Sequence, residues 1–229
     1  MTLLILNSKG YERSEDFTVE FHKPLRFKKM ALQSFSIWVS WNNISEKYNN
    51  NRFSFFDGNV WTDITIPDGN YTLRELNDFM VKYFREDDPP IKFGVVFARQ
   101  RFVIKLKEHY RLDLTKSKLH EVLGFEPMTF EDEEQEGRFV ANISRSVDDI
   151  HIHCNVIEGA YLNEYTSEVI YSFTPSNPPG SLIAKEFDKP VFFHVKTSPV
   201  YRIRMRVTNQ DGEPLELNQQ KVLYRLAVE

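Results

Sequence analysis

A side-chain period of two dominates this sequence and sets what it can fold into. Phe17-Thr18-Val19-Glu20-Phe21 alternates, and Val60, Thr62, Ile64 and Ile66 share one face. Phe102, Ile104 and Leu106 oppose Arg101, Val103, Lys105 and Lys107. Ile150, Ile152, Cys154 and Val156 oppose Asp149, His151, His153 and Asn155. Successive side chains of a β-strand point to opposite faces, so this rhythm predicts half-buried strands. Segments near 91–97, 166–173, 190–196, 200–208 and 221–228 read the same way. The run Met30–Trp41 is denser in apolar residues, which predicts a strand buried on both sides or one carrying a bulge.

Turn chemistry punctuates the strands. Arg52-Phe53-Ser54-Phe55-Phe56 runs into Asp57-Gly58 and then into the strand at Val60, which predicts a hairpin. After Pro67-Asp68-Gly69 the period changes. Thr72 with Glu75 three residues later forms a capping box, and Leu73, Leu76, Met80 and Phe84 follow at helical spacing. The spacing predicts a helix over 73–84, stopped by Asp87-Asp88-Pro89-Pro90. A second, shorter helix is predicted near 116–123, ending at Gly124. The acidic stretch 131–136 reads as a solvated loop, because stacked like charges repel. No repeat of fixed period and no Pro/Ser-rich linker interrupts the chain. Many strands with two short helices predict an all-β sandwich, and 229 residues suit one such domain.

Composition narrows the function. Twenty-nine basic against 33 acidic side chains leave a net charge of −4, which argues against non-specific grip on nucleic acid as the main task. Cys154 is the only cysteine, so neither an intrachain disulfide nor a multi-thiolate zinc site is available. The stretch Leu3-Leu4-Ile5-Leu6 is far shorter than the ~20 residues of a spanning helix, and it lacks the charged flank and cleavage site of a signal peptide. No membrane association and no secretion through a signal peptide are therefore expected. Asn43-Ile44-Ser45, Asn70-Tyr71-Thr72 and Asn142-Ile143-Ser144 match the glycosylation pattern and are read as chance matches without a secretory signal.

Three constellations carry residues capable of chemistry. His151 and His153, two apart on a strand, put both imidazoles on one face with Asp149 extending the row. They are weak metal-ligand candidates, and the competing reading is an exposed or interface strand face. Cys154 falls on the apolar face and reads as a small buried hydrophobe. Arg202, Arg204 and Arg206 share one strand face, opposite Tyr201, Ile203, Met205 and Val207. A row of guanidinium groups wants an anionic partner surface, nucleic acid, or local carboxylates. Glu131, Asp132, Glu133 and Glu134 supply a complement, so both groups are subunit-interface candidates in a self-assembling chain. The close set Trp38, Trp41, Phe53, Phe55, Phe56 and Trp61 divides between core and interface. The sequence has no G-x-S-x-G, P-loop, G-x-G-x-x-G or H-E-x-x-H motif, so no catalytic residue and no cofactor is expected.

Several motifs, taken in order, resemble a known family. They are Ile64-Thr65-Ile66-Pro67, Asp68-Gly69-Asn70-Tyr71-Thr72 opening a helix with Leu73 and Leu76, and Leu123-Gly124-Phe125. Then follow Ile150-His151-Ile152-His153-Cys154-Asn155 leading to Gly159, and Val207-Thr208-Asn209-Gln210-Asp211-Gly212 before a Leu-rich final strand. This order resembles the minor capsid (penton) proteins of Maverick/Polinton elements and related adenovirus-like viruses, over roughly residues 30–229. The resemblance implies a single jelly-roll β-sandwich over 1–229 with the two helices inserted. It also implies a homopentamer at capsid vertices beside a double jelly-roll major capsid protein, with contact to packaged DNA possible in a virion made inside the host cell. It brings no catalytic residues. The acidic loop at 131–136 departs from the family pattern. Two other classes compete: a β-sandwich binding module for a carbohydrate or protein, and a metal-dependent enzyme built on His151, His153 and Asp149.

Overall fold

The computed structural model describes residues 2–131, 133–141, 143 and 147–229. Among the described residues the sheets are antiparallel throughout and the helices are two and short, so the fold is all-β. The chain divides into two compact units, Met1–Trp41 with Val147–Glu229, and Asn42–Ser146. This division is finer than the single domain expected over 1–229, and both helices fall in the second unit.

The first unit begins with strands β1 (Thr2–Asn7), β2 (Asp16–Leu25) and β3 (Lys29–Trp38). In the second come β4 (Arg52–Phe56), β5 (Trp61–Thr65), helix α1 (Leu73–Phe84), β6 (Ile91–Val96), β7 (Arg101–Leu106) and β8 (Arg111–Asp113). Helix α2 (Leu119–Leu123), β9 (Thr129–Phe130) and β10 (Glu134–Glu136) complete that unit. The chain then returns to the first unit as β11 (Ile150–Cys154), β12 (Ile157–Glu158), β13 (Ala160–Leu162), β14 (Tyr165–Ser167) and β15 (Val169–Phe173). It ends with β16 (Leu182–Glu186), β17 (Phe193–Val195), β18 (Val200–Asn209) and β19 (Leu223–Val228).

Two sheets make the sandwich of the first unit. One is ordered β1-β19-β3-β17-β12, with β16 also paired to β3. The other is β15-β11-β18-β2. Their inner faces close on one core that joins Met30, Phe35 and Ile37 to Ile150, Ile152, Ile203, Met205 and Val207. Cys154 lies within it, its Sγ 3.6 Å from the Met30 sulfur, and burial pushes its thiol up to about 12. That is the inert, packed thiol the alternation predicts. The dense run from Met30 is the central β3, and the expected irregularity falls in its pairing, where the register with β19 shifts between Arg225 and Leu226.

In the second unit, β5-β4-β8-β9 and β10-β7-β6 form two sheets. A single apolar cluster spans Phe53, Ile64, Leu76, Met80, Ile91, Ile104, Leu112 and Phe130. The hairpin at Asp57-Gly58 joins β4 to β5 with Phe56 opposite Trp61, and the Asp57 carboxylate accepts from the amides of Asn59 and Val60. Helix α1 spans the expected residues. Glu75 accepts from the Thr72 amide at 2.7 Å and donates its own amide to the Thr72 hydroxyl at 3.3 Å.

Two expectations are corrected here. Helix α2 starts at Leu119 rather than near 116, because the Ser117 hydroxyl binds the Arg52 carbonyl and accepts from the Leu119 amide, holding the preceding residues in a turn. It does end at Gly124, whose φ of 76° and close approach to the Phe139 carbonyl leave no room for a side chain. The acidic loop 131–136 is partly a strand. Glu134–Glu136 pairs with β7, and cations there remove the repulsion that a loop reading assumes: Lys105 meets Glu134 at 2.8 Å, and Arg99 and Arg101 meet Glu136.

Candidate functional site

Strand β18 is central in its sheet, between β11 and β2, and its alternation is as expected from Arg202 onward. Tyr201, expected on the core face with Ile203, is exposed, because the pairing with β2 shifts register between Val200 and Arg202. Ile203, Met205 and Val207 enter the core, while Arg202, Arg204 and Arg206 line the outer face. Register fixes their neighbours. On β2, Arg202 stands opposite Glu20, Arg204 opposite Thr18 and Arg206 opposite Asp16. On the other side, Arg206 stands opposite His153 of β11.

Only one of the three guanidinium groups is fully answered. Arg204 binds Asp16 in a bidentate pair, at 2.7 Å through Nε and 2.6 Å through Nη2. That bonding holds the Asp16 carboxyl below its ordinary range and raises Arg204. Arg202 and Arg206 make no hydrogen bond or ion pair with any described residue, although Arg206 is near enough to help depress Asp16. The Asn155 side-chain carbonyl accepts from the Arg204 amide at 2.7 Å. Glu168 is engaged by Lys196 at 2.6 Å, and Lys196 also donates to the Asn155 carbonyl. Together Thr18, His153, Asn155, Glu168 and the three arginines line a concavity of about 440 Å³.

The histidines are not on an exposed strand face. His151 is 6% and His153 8% accessible, and their ring centroids lie 6.2 Å apart. Each ring has a partner of its own, Asp149 at 3.2 Å for His151 and the Thr208 hydroxyl at 2.9 Å for His153. Burial first, then the field of Arg206, pushes His153 down to about 4, so it is neutral near pH 7. Asp149 also accepts from the Ser172 hydroxyl at 2.5 Å. Among the described residues, no group of three or more His, Cys, Asp or Glu side chains is placed to hold a metal ion.

The acidic candidates lie in the second unit and have local cations. Glu131 meets Arg111 at 3.2 Å and Glu134 meets Lys105 at 2.8 Å. Glu133 is exposed, and its main-chain carbonyl accepts from the Leu106 amide at 2.7 Å. Asp132 lies outside the described residues. The aromatic set splits: Trp41, Phe53 and Phe55 are buried, while Trp38 and Trp61 are partly exposed. Sequence reasoning missed Thr18, Asp16 and Glu168 as neighbours of the arginine row. Asn155 carried a signal, since alternation already put it on the His153 face.

Of the three glycosylation matches, Asn43 is buried with its amide nitrogen bonded to the carbonyls of Tyr71 and Ile143. Thr72 of the second caps α1. In the third, Asn142 and Ser144 lie outside the described residues. No helix among the described residues is long and apolar enough to cross a membrane.

No protein-family model and no curated protein matches the chain. Among solved structures, it is similar to the mavirus penton protein, with a TM-score of 0.50 and 11% identity. That similarity covers 98% of this chain and 97% of the mavirus chain. The chain therefore shares the fold of that protein, all-β and jelly-roll-like.

Proposed function

We propose that the chain is a structural capsid protein, the vertex subunit of an icosahedral particle encoded by a Maverick/Polinton-type element, and that it assembles as a homopentamer. The observation that supports this reading most is the end-to-end similarity to the mavirus penton protein, which extends over both chains rather than over one shared sandwich. The order of motifs between Ile64 and Gly212 supports the same family independently. In this reading the chain works without a cofactor or a catalytic residue. Its partners are four further copies and a double jelly-roll major capsid protein, with packaged DNA on the inner side and the virion as its location.

An interface between the row Arg202, Arg204 and Arg206 and the segment with Glu131, Asp132, Glu133 and Glu134 belongs to this proposal as one way to join copies. It would exchange pairs inside a subunit, Arg204 with Asp16, Glu131 with Arg111 and Glu134 with Lys105, for pairs between subunits. Exposed ion pairs contribute about 0–1 kcal/mol each, so such an exchange adds little net affinity. Apolar contact has to supply the rest, and exposed Tyr161, Tyr165 and Tyr201 offer it.

Light scattering of the purified chain at two salt concentrations tests the reading. A species of five times the 27.1 kDa chain, about 136 kDa, is the expected result. Loss of that species at high salt would implicate the charged surfaces. A 27.1 kDa monomer at every concentration, with no incorporation into particles when the major capsid protein is co-expressed, would overturn it in favour of a binding module. The hairpin β13–β14, with Tyr161 and Tyr165 exposed, is where a sugar would then stack.

A further inference from the structure

We infer that the concavity on the outer face of β18 is a binding site for a compact phosphoanion, of the di- or triphosphate class, held by Arg202 and Arg206. This does not depend on the vertex reading.

Charge arithmetic selects the ligand. Six charged side chains bear on the site besides Glu20: Arg202, Arg204, Arg206, Lys196, Glu168 and Asp16. Asp16 is bonded to Arg204 and Glu168 to Lys196, which removes both carboxylates from competition. Glu20 faces Arg202 in register, yet the two make no ion pair. Two guanidinium groups are left with no bonded counter-charge. Arg202 and Arg206 each stand two residues, about 7 Å, from Arg204 and about 13 Å from each other along the strand, so an anion that answers both has to reach across Arg204. One carboxylate carries a single charge and answers one arginine. A phosphoryl group carries about −1.5 to −2 near pH 7 and presents three acceptor oxygens, and a chain of two or three of them carries charge at both ends, so one end can answer Arg202 and the other Arg206.

The remaining walls fit the same ligand. The Asn155 side-chain carbonyl accepts from the Arg204 amide, and its Nδ2 has no hydrogen-bond partner among the described residues, so this lining residue keeps a donor to offer. Thr18 adds a hydroxyl. His153 is neutral near pH 7 and bonded to Thr208, so the imidazole is a wall and brings no charge of its own. A volume of about 440 Å³ falls in the range of small-ligand pockets, roughly 300–1,000 Å³. The basic row is three residues long and is bounded by Glu20 and Glu168, in a chain of net charge −4. A nucleic-acid track needs an extended basic surface, which favours the small anion over a phosphodiester backbone.

Titration calorimetry of the purified chain with sodium tripolyphosphate in 150 mM salt tests the site. The expected result is saturable binding of one anion per chain, at least tenfold weaker in the double variant Arg202→Gln, Arg206→Gln. Neither arginine is bonded within the chain, so that variant should unfold at the wild-type temperature. Asp16→Asn frees the third guanidinium and should tighten binding, a gain that a merely damaged fold does not give. Absence of saturable binding overturns the proposal, as does equal binding by wild type and the double variant. Tighter binding of a single-stranded oligonucleotide than of tripolyphosphate through the same two arginines overturns the small-anion assignment in favour of nucleic acid.

Discussion

Arg204 grips Asp16 with two parallel bonds, although 188 residues separate them in the chain. The Asp16 side chain is mostly buried and that of Arg204 about half exposed, so the pair is partly screened. Asp16→Asn is expected to cost about 1 kcal/mol at pH 7, measured as the shift in urea midpoint. The Asp16 carboxyl is lowered from 3.8 by Arg204, so its contribution is fully present above pH 3.8 and is lost as pH falls through the depressed value. The gap between wild type and variant should therefore hold through neutrality and close only in strong acid. A gap that closes by pH 5 would show that the pair is not what the variant removes.

His153 gives the opposite handle on pH. Its folded-state value is about 4 against 6.5 for the unfolded chain. Between those values the unfolded state takes up a proton that the folded state refuses, so stability falls as pH drops from 6.5 toward 4. A shift of this size corresponds to a few kcal/mol at most, on the order of 3–4. His153→Gln keeps a partner for the Thr208 hydroxyl and removes the titration. Urea unfolding at pH 7 and pH 4.5 should show a smaller acid loss in the variant than in wild type. Equal losses would place the acid sensitivity of the fold elsewhere.

What was legible in the sequence was local. Helix α1 could be read to the residue because Thr72, Glu75 and the spacing of Leu76 and Met80 lie within one short window. The faces of β11 and β18 could be read because alternation fixes them. Pairing could not. Strand β1 is a run of leucine and isoleucine without alternation, and it exists because it lies along β19 at the other end of the chain. The acidic segment looked like a loop because its counter-charges, Lys105 and Arg101, sit on a strand some 30 residues earlier and meet it only through register. The same limit applied to the site. Three arginines on one face were evident, and that Asp16 answers only one of them fully was not, since nothing local ties β2 to β18.

Asn43 organises its unit through one side chain. Its Nδ2 donates to the carbonyls of Tyr71 at 2.7 Å and Ile143 at 2.8 Å, and its Oδ1 accepts from the Tyr71 amide at 2.8 Å. Asn43→Ala leaves three main-chain groups, of Tyr71 and Ile143, without this partner in a partly buried place. The expected cost is about 2–4 kcal/mol, from the desolvation of groups left unpaired. Asn43→Asp retains the acceptor and should fall between wild type and alanine. Chemical denaturation followed by Trp61 fluorescence checks the series, because Trp61 lies in the same unit.

Tyr224 is the largest fully buried side chain of the first unit, and its hydroxyl has no hydrogen-bond partner among the described residues. Burial raises its ionisation well above the ordinary tyrosine range. Its ring stacks on Phe17 with centroids 6.2 Å apart, and that contact depends on the ring rather than on the oxygen. Tyr224→Phe therefore keeps the packing and removes a polar atom that was desolvated without compensation. The expected outcome is a gain of about 1 kcal/mol, read as a higher urea midpoint at unchanged slope. Tyr224→Ala serves as the counterpart, since it deletes the ring and should cost about 3–5 kcal/mol. A loss of stability in the phenylalanine variant would mean that the hydroxyl is paired in solution, and high-field NMR of the hydroxyl proton would locate its acceptor.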